Sequence, residues 1–235
     1  MESETHQLLQ EQIEYYRARA PEFDQLYRRE GQYDLGEKSN EQWYAELEAV
    51  KRAITESVVP GNTLELACGT GVWTQFILEH AVDLTAVDSS PEMIELHRQR
   101  LDSRSVKYVR ADLFDWRPTE RYDFVFFAFW LSHVPEEKFE PFWEMVSSAL
   151  MPGGKFFFVD NLVSSQQTSK GSQSAQGSES AMTRRLNDGR EFRIVKLYHK
   201  PATLQQRLEE MGWDARIEST DNYFVYGSGS LNSRR

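Results

Sequence analysis

Apolar positions along the chain fall into two regimes. Over residues 4 to 57 they recur at helical spacing, with Leu9, Ile13 and Tyr16 at i, i+4 and i+7 before Pro21, and Trp43, Leu47, Val50 and Ile54 as a second stripe. The second stripe follows Ser39, whose spacing to Gln42 predicts a capping box. Between the two stand Phe23, Tyr27 and Tyr33, aromatic residues whose ordinary use is core packing.

From Pro60-Gly61-Asn62 onward the pattern changes to short continuous apolar runs: Thr63–Ala67, Leu84–Val87, Val106–Val109, Tyr122–Phe129 and Lys155–Val159. Continuity rather than alternation predicts strands covered on both faces, as in a parallel sheet. The intervening helices carry their own signals. Ser89 to Glu92 reads as a capping box with Pro91 near the first turn, and Pro135 precedes a stripe of Phe139, Phe142, Val146 and Leu150. The expected architecture is α/β, a doubly wound, mostly parallel sheet with an N-terminal helical cap.

Met151-Pro152-Gly153-Gly154 turns the chain into the fifth run, and beyond it the β-α rhythm stops. Residues 164–180 hold seven Ser, four Gln and two Gly, with no aromatic or large aliphatic side chain, which predicts a mobile surface loop. Asn187-Asp188-Gly189 then sits between Met182–Leu186 and Glu191–Tyr198 as a hairpin signal. A helix from Pro201 to Met211, stopped by Gly212, and a run at Tyr223–Tyr226 complete the pattern. With no repeat and no second composition regime, 1–235 reads as one domain: a cap over 1–58, a core over 59–162, a flexible loop and hairpin over 163–189, and C-terminal strands and helix over 190–235.

Candidate chemistry starts at Leu64-Glu65-Leu66-Ala67-Cys68-Gly69-Thr70-Gly71, a strand running into a glycine turn that opens a helix. Glycine lets the backbone approach a ligand, and Asp88, seventeen residues after Gly71 at the end of the next run, suits a ribose diol. A nicotinamide or flavin dinucleotide is the first thought. Position 74, where a third glycine would let a pyrophosphate approach, is Thr74, so a ligand with ribose and no phosphate fits better.

These residues resemble the class I S-adenosylmethionine-dependent methyltransferases, and within them the small-molecule branch similar to quinone-biosynthesis methyltransferases. The resemblance runs over about residues 60 to 160. Glu65 to Gly71 looks like the family's first motif, Val87-Asp88-Ser89 like the second, and Arg110-Ala111-Asp112-Leu113 like the adenine-contacting segment. Phe129 to Val134 looks like the segment after the fourth strand, and Leu150–Gly154 like the turn before the fifth. It implies a Rossmann-like fold with a seven-stranded sheet, S-adenosylmethionine (SAM) as cofactor, and methyl transfer to O, N, S or C of a small, aromatic or apolar acceptor. By the same resemblance Gly69 and Gly71 admit the methionine part, Glu65 anchors the loop or the cofactor amine, and Asp88 with Ser89 meets the ribose. Ala111 and Asp112 meet the adenine edge, Leu113 and Met93 pack on its faces, and Phe129 flanks the cofactor. His133 follows the fourth strand, where a neutral imidazole can take an acceptor's proton. Its plainer use is a cofactor contact or a cap for the Pro135 helix.

Tyr15-Tyr16-Arg17 and the segment from Phe23 to Tyr33 read as a lid, with Tyr16 or Arg17 reaching the cofactor carboxylate and aromatic faces closing on a sulfonium. Arg184, Arg185, Arg190 and Tyr198 either meet the acceptor or form the solvated face of the hairpin. The rivals are an NAD(P)-dependent oxidoreductase, which would want a Tyr-x-x-x-Lys pair, and a catalytically silent SAM-binding protein.

Composition adds limits. Cys68 is the one cysteine, which excludes an internal disulfide; the five histidines are scattered, so no metal site is expected. No window approaches a membrane span, and a cytoplasmic protein is expected. The formal charge of −10 argues against nucleic acid as a partner. Twelve acids against five bases fall in residues 1–50, so the cap is acidic, which predicts easy entry of a cationic cofactor and a neutral or cationic acceptor in place of an anionic one.

Overall fold

A computed structural model describes residues 2–101, 106–162, 173–174 and 181–232. The chain opens with α1 (Glu2–Arg19), a 3-10 turn at Ala20–Glu22, α2 (Gln25–Arg28) and α3 (Glu37–Ser57). The core then runs β1 (Gly61–Leu66), α4 (Thr74–Leu78), β2 (Ala81–Asp88), α5 (Pro91–Leu101), β3 (Val106–Arg110), β4 (Tyr122–Ala128), α6 (Glu136–Ala149) and β5 (Leu150–Asn161). Short strands β6 (Gln173–Ser174), β7 (Ala181–Arg185) and β8 (Glu191–Val195) follow, then α7 (Pro201–Glu210), β9 (Trp213–Ser219) and β10 (Phe224–Leu231).

The main sheet has seven strands in the order β3-β2-β1-β4-β5-β10-β9, and β10 is antiparallel to both of its neighbours. Strand order reverses between β1 and β4, which places a crevice above their C-terminal ends. This is the doubly wound, mostly parallel seven-stranded sheet expected, with its N-terminal helical cap.

Both faces of the sheet are covered, which explains the continuous apolar runs. Along β4, Phe124 and Phe126 pack with Trp43 and Val50 of α3 and Trp73 before α4, while Val125 and Phe127 face Phe142 and Trp143 of α6. Each such ring, wholly buried, contributes roughly 1.5–3 kcal/mol of transfer free energy. Among the described residues no helix is long and apolar enough to cross a membrane.

Several local expectations shift. The α3 helix starts three residues earlier than Ser39 implied, at Gly36, whose carbonyl accepts from Asn40 N–H (2.9 Å). The cap of α5 is Ser90 and not Ser89: its hydroxyl accepts from Met93 N–H (3.1 Å). β9 went unread, although Trp213, Ala215 and Ile217 alternate inward. The hairpin at Asn187–Gly189 forms as read, with Gly189 at φ +90°. The loop expected over 164–180 lies, apart from residues 173 and 174, outside the described residues.

Two contacts seat the cap. Tyr15 of α1 packs with Leu186 and Ile194 of the hairpin. Behind it, Glu46 of α3 accepts from the Thr220 hydroxyl and from the Asn222 and Tyr223 amides. These bonds outweigh partial burial and hold Glu46 below the usual carboxylate range.

Candidate functional site

Local backbone chemistry aims the ends of β1 and β4 into the crevice. Ala67 and Phe129 both take positive φ, +51° and +53°, a conformation uncommon for side chains with a Cβ and concentrated at functional sites. After Ala67 the chain turns through Gly69 (φ +54°) and Gly71 (φ +78°). Gly69 N–H donates to Asp88 Oδ2 (2.9 Å) and Ser90 N–H to Asp88 Oδ1 (2.9 Å), so one carboxylate ties the glycine turn to the start of α5. Burial pushes Asp88 above the ordinary aspartate range, and the amide bonds only partly offset it.

Above these strand ends lies a cleft of about 1100 Å³, the open solvent at its mouth included. Gly69, Asp88, Ser89 and Met93 line one side, and Ala111, Asp112 and Leu113 continue it. Asp112 accepts from Phe114 N–H through Oδ1 (3.0 Å), which fixes its carboxylate at the rim. Phe129, Tyr16 and His133 close the other side.

Two of the expected residues do not line the cleft, and Glu65 takes the loop-anchoring alternative of its two expected roles. Glu65 is buried beneath the turn, where its carboxylate accepts from the Thr74 hydroxyl (2.7 Å). Gly71 does not line the cleft, and a Cβ there would meet the His97 ring at 2.9 Å.

His133 is buried and held at both ring nitrogens. Nδ1 lies 2.7 Å from the Val195 carbonyl, which only accepts, so Nδ1 carries the proton and Nε2 accepts from Tyr16 O–H (2.8 Å). Burial, then the nearby Lys196 charge, keeps His133 well below the usual histidine range and hence neutral. Burial holds Tyr16 as the phenol. Gln12 braces the pair: its side chain donates to the His133 carbonyl (3.3 Å) and accepts from Val195 N–H (3.0 Å).

Basic groups also face the cleft. Arg17, expected inside, is half-exposed and pairs with Glu92 (3.0 Å), whereas Arg19 enters. Its guanidinium lies 4.9 Å from the centre of the Phe23 ring and donates to the Tyr33 phenol oxygen (2.8 Å). Lys196 Nζ donates to Ser132 Oγ (2.7 Å) and Asn161 Oδ1 (2.8 Å) and sits 3.7 Å from Asp160 Oδ1. Burial outweighs Asp160 and lowers its pKa to about 8. Of the hairpin candidates, Arg184 lines the cleft, while Arg185, Arg190 and Tyr198 do not. Sequence reasoning missed Arg19, Gln12 and Lys196. The first two share the helical face of Tyr16, at i+3 and i−4, and Lys196 interrupts the apolar run Ile194 to Leu197.

The residues fit a nucleoside cofactor without phosphates. Asp88 stands where a diol can reach its remaining lone pairs, Asp112 can accept from an amine, and Leu113 and Met93 supply ring contacts. Thr74 is wholly buried at the start of α4, its hydroxyl bonded to Glu65 and His97 within the protein.

Known proteins agree with this geometry. Residues 63–154 match the family described as a methyltransferase domain. The structure of DhpI in complex with SAH (S-adenosylhomocysteine) superposes with a TM-score of 0.77 at 37% identity, over 97% of this chain and 99% of that one. DhpI with SAM and HEP gives 0.76 at 38% identity, over 95% and 97%. A malonyl-[acyl-carrier protein] O-methyltransferase of Paenibacillus sp. (strain JDR-2) is 30% identical over 116 residues, 44% of this chain and 42% of that protein. A trans-aconitate 2-methyltransferase of Acidovorax sp. (strain JS42) is 38% identical over 69 residues, 28% and 26%. The chain thus aligns with less than half the length of these two curated relatives. Near-complete coverage of DhpI, together with the domain match and the site's donor set, settles the family: the chain belongs to the class I S-adenosylmethionine-dependent methyltransferases.

Proposed function

We propose that this methyltransferase acts on an oxygen atom of a small acid whose anionic group is received by Lys196 and Arg184. One observation carries the reading: Lys196 is only 5% exposed, yet two of its three N–H donors are engaged at hydrogen-bond distance, and the third is 3.7 Å from Asp160. A buried ammonium is expensive, by several kcal/mol, unless charge answers it; Asp160 answers it from 3.7 Å, longer than a hydrogen bond, and an anion in the cleft would add a closer partner. Arg184 lines the same cleft and adds a fork suited to carboxylate-like groups. The acidity of the cap lies outside this cleft, and the acid reading departs from the neutral or cationic acceptor expected from that acidity. Relatives named for malonyl-[acyl-carrier protein] and trans-aconitate methylation point the same way.

SAM, when bound, supplies an electrophilic methyl group, and transfer forms an O–C bond as the S–C bond breaks. The chain's residues bind and align. Asp88 would hold the ribose hydroxyls, Asp112 the adenine amine, and Arg19 the methionine carboxylate. Tyr16, whose O–H donates a hydrogen bond to His133 Nε2, presents phenol lone pairs toward the cleft. An acceptor oxygen that arrives ionised needs no base, so His133 orients Tyr16 and keeps water out of the cleft in place of removing a proton.

The test is a panel of small carboxylates, phosphates and sulfonates beside phenols, thiols and amines, read by SAH release and by mass of the product. Turnover of acids is expected. Turnover confined to phenols, thiols or amines overturns the acid reading.

A further inference from the structure

The wholly buried His97 is used by none of the steps above. It lies on α5 and closes a hydrogen-bonded chain across four elements: Tyr108 of β3, His97, Thr74 of α4 and Glu65 of β1. The directions of its bonds follow from chemistry. A carboxylate only accepts, so the Thr74 hydroxyl donates to Glu65 Oε2 (2.7 Å) and its oxygen must accept from His97 Nε2–H (2.8 Å). In the neutral ring Nδ1 then accepts from Tyr108 O–H (2.8 Å).

The same ring supports the glycine turn. A Cβ at Gly71 would stand 2.9 Å from His97 Cδ2, so the imidazole edge packs directly against that backbone. One helical turn on, Arg100 Nε donates to the Thr70 carbonyl (2.7 Å). The α5 helix therefore braces the turn at two points, and its first residues follow Asp88, which ties Gly69 from the other side. At position 74, where a dinucleotide pattern would have glycine, the Thr74 hydroxyl is the pivot of this chain.

We infer that His97, Thr74 and Tyr108 are positioning residues that set affinity for SAM by holding the Cys68–Gly71 turn in its binding conformation from beneath. They touch no ligand; they act through Glu65 and Gly71. The inference rests on the cofactor and is independent of the acceptor.

The test is SAH titration calorimetry on the full chain, with thermal melts, for Thr74→Val, Thr74→Ser and Tyr108→Phe. Thr74→Val keeps the shape and loses the hydroxyl, and it is expected to raise the SAH Kd about three- to tenfold, the size of one lost net hydrogen bond. Thr74→Ser is expected to restore the affinity. Tyr108→Phe, which removes one hydroxyl at the far end of the chain, should raise Kd at least about twofold and shift the His97 ring ¹⁵N resonances from the Nε2–H pattern of the parent. This variant carries the test if Thr74→Val does not fold. Thr74→Val that melts lower yet binds SAH as the parent does, a serine variant that fails to restore affinity, or Tyr108→Phe with parental affinity and parental ring resonances would each overturn the inference. A parent chain that bound no SAH would instead sink the cofactor reading.

Discussion

The acid-acceptor reading predicts an alkaline limit on acceptor binding. Lys196 has a folded pKa of about 8, below the ordinary 10.5, with burial as the leading cause. Its cationic form therefore predominates at neutral pH and is lost as pH rises through about 8. A hydrogen bond to a charged partner contributes about 1.5–3 kcal/mol, or roughly ten- to hundredfold in affinity. Acceptor KM should stay flat near neutrality, then rise by about tenfold per pH unit above the break until that contribution is exhausted. The assay is initial rate against concentration of the best acid of the panel, from about pH 7 to about pH 9.5, with the SAH Kd measured in parallel to remove any effect on the cofactor site. Lys196→Arg keeps its charge throughout this range, so the break should disappear. Lys196→Met should show the alkaline KM at every pH. A KM that stays flat in the parent, or that breaks at the same pH in Lys196→Met, refutes the role of this ammonium.

Three further outcomes follow from the site. Asp88→Asn removes the negative charge facing the ribose and should raise the SAH Kd by about tenfold or more, as loss of a charge-assisted bond requires; unchanged calorimetric affinity counts against that placement. Tyr16→Phe and His133→Ala should each lower kcat by about tenfold with SAH affinity unchanged, because both lose the oriented phenol oxygen; an acidic limb in kcat that vanishes only in His133→Ala would make His133 a proton acceptor after all. Lys196 also bears on stability: the unfolded chain holds its proton up to about 10.5 and the folded chain only to about 8, so stability should rise with pH across that window, which urea melts at about pH 8 and about pH 10 can read.

What the sequence made legible is what local chemistry dictates. Strands buried on both faces appear as continuous apolar runs, and β1 to β5 were found for that reason. The turn at Gly69, Asp88 at the end of β2 and Asp112 after β3 were found because each follows a strand end directly. β9 was missed because its Trp213, Ala215 and Ile217 alternate with polar residues, the pattern of a strand with one face less covered. Helix starts moved because the side chains expected as caps make no such bond: α3 begins at Gly36 without one, and Ser90 displaces Ser89. Arg17 and Arg19 show the harder limit. They are two positions apart on one helix, about 200° around its axis, and which one points inward depends on α1 packing against β8. That contact joins residues far apart in the chain, as do the Glu11 to Arg193 and Gln12 to Val195 bonds.

Net charge constrains the acceptor less than it first suggests, for a physical reason. It sums over the surface, where exposed charges are screened within about 10 Å at ordinary salt, so an acidic exterior says little about a cleft behind it. Inside the cleft the medium is less polarisable, and a few groups decide the local field. Arg19, Arg184 and Lys196 are three of the 27 Lys and Arg residues in the chain, yet all three face the cleft. A chain with a charge of −10 can therefore hold a basic acceptor site without contradiction. The exterior still has a role in the rate of entry: an acidic cap attracts a cationic cofactor and repels an anionic acceptor, and both effects fade with salt. Added salt should accordingly raise kcat/KM for the acid while lowering the association rate of SAM. A kcat/KM for the acid that falls as salt is added would show that attraction by Arg184 and Lys196 reaches beyond the cap and dominates the encounter.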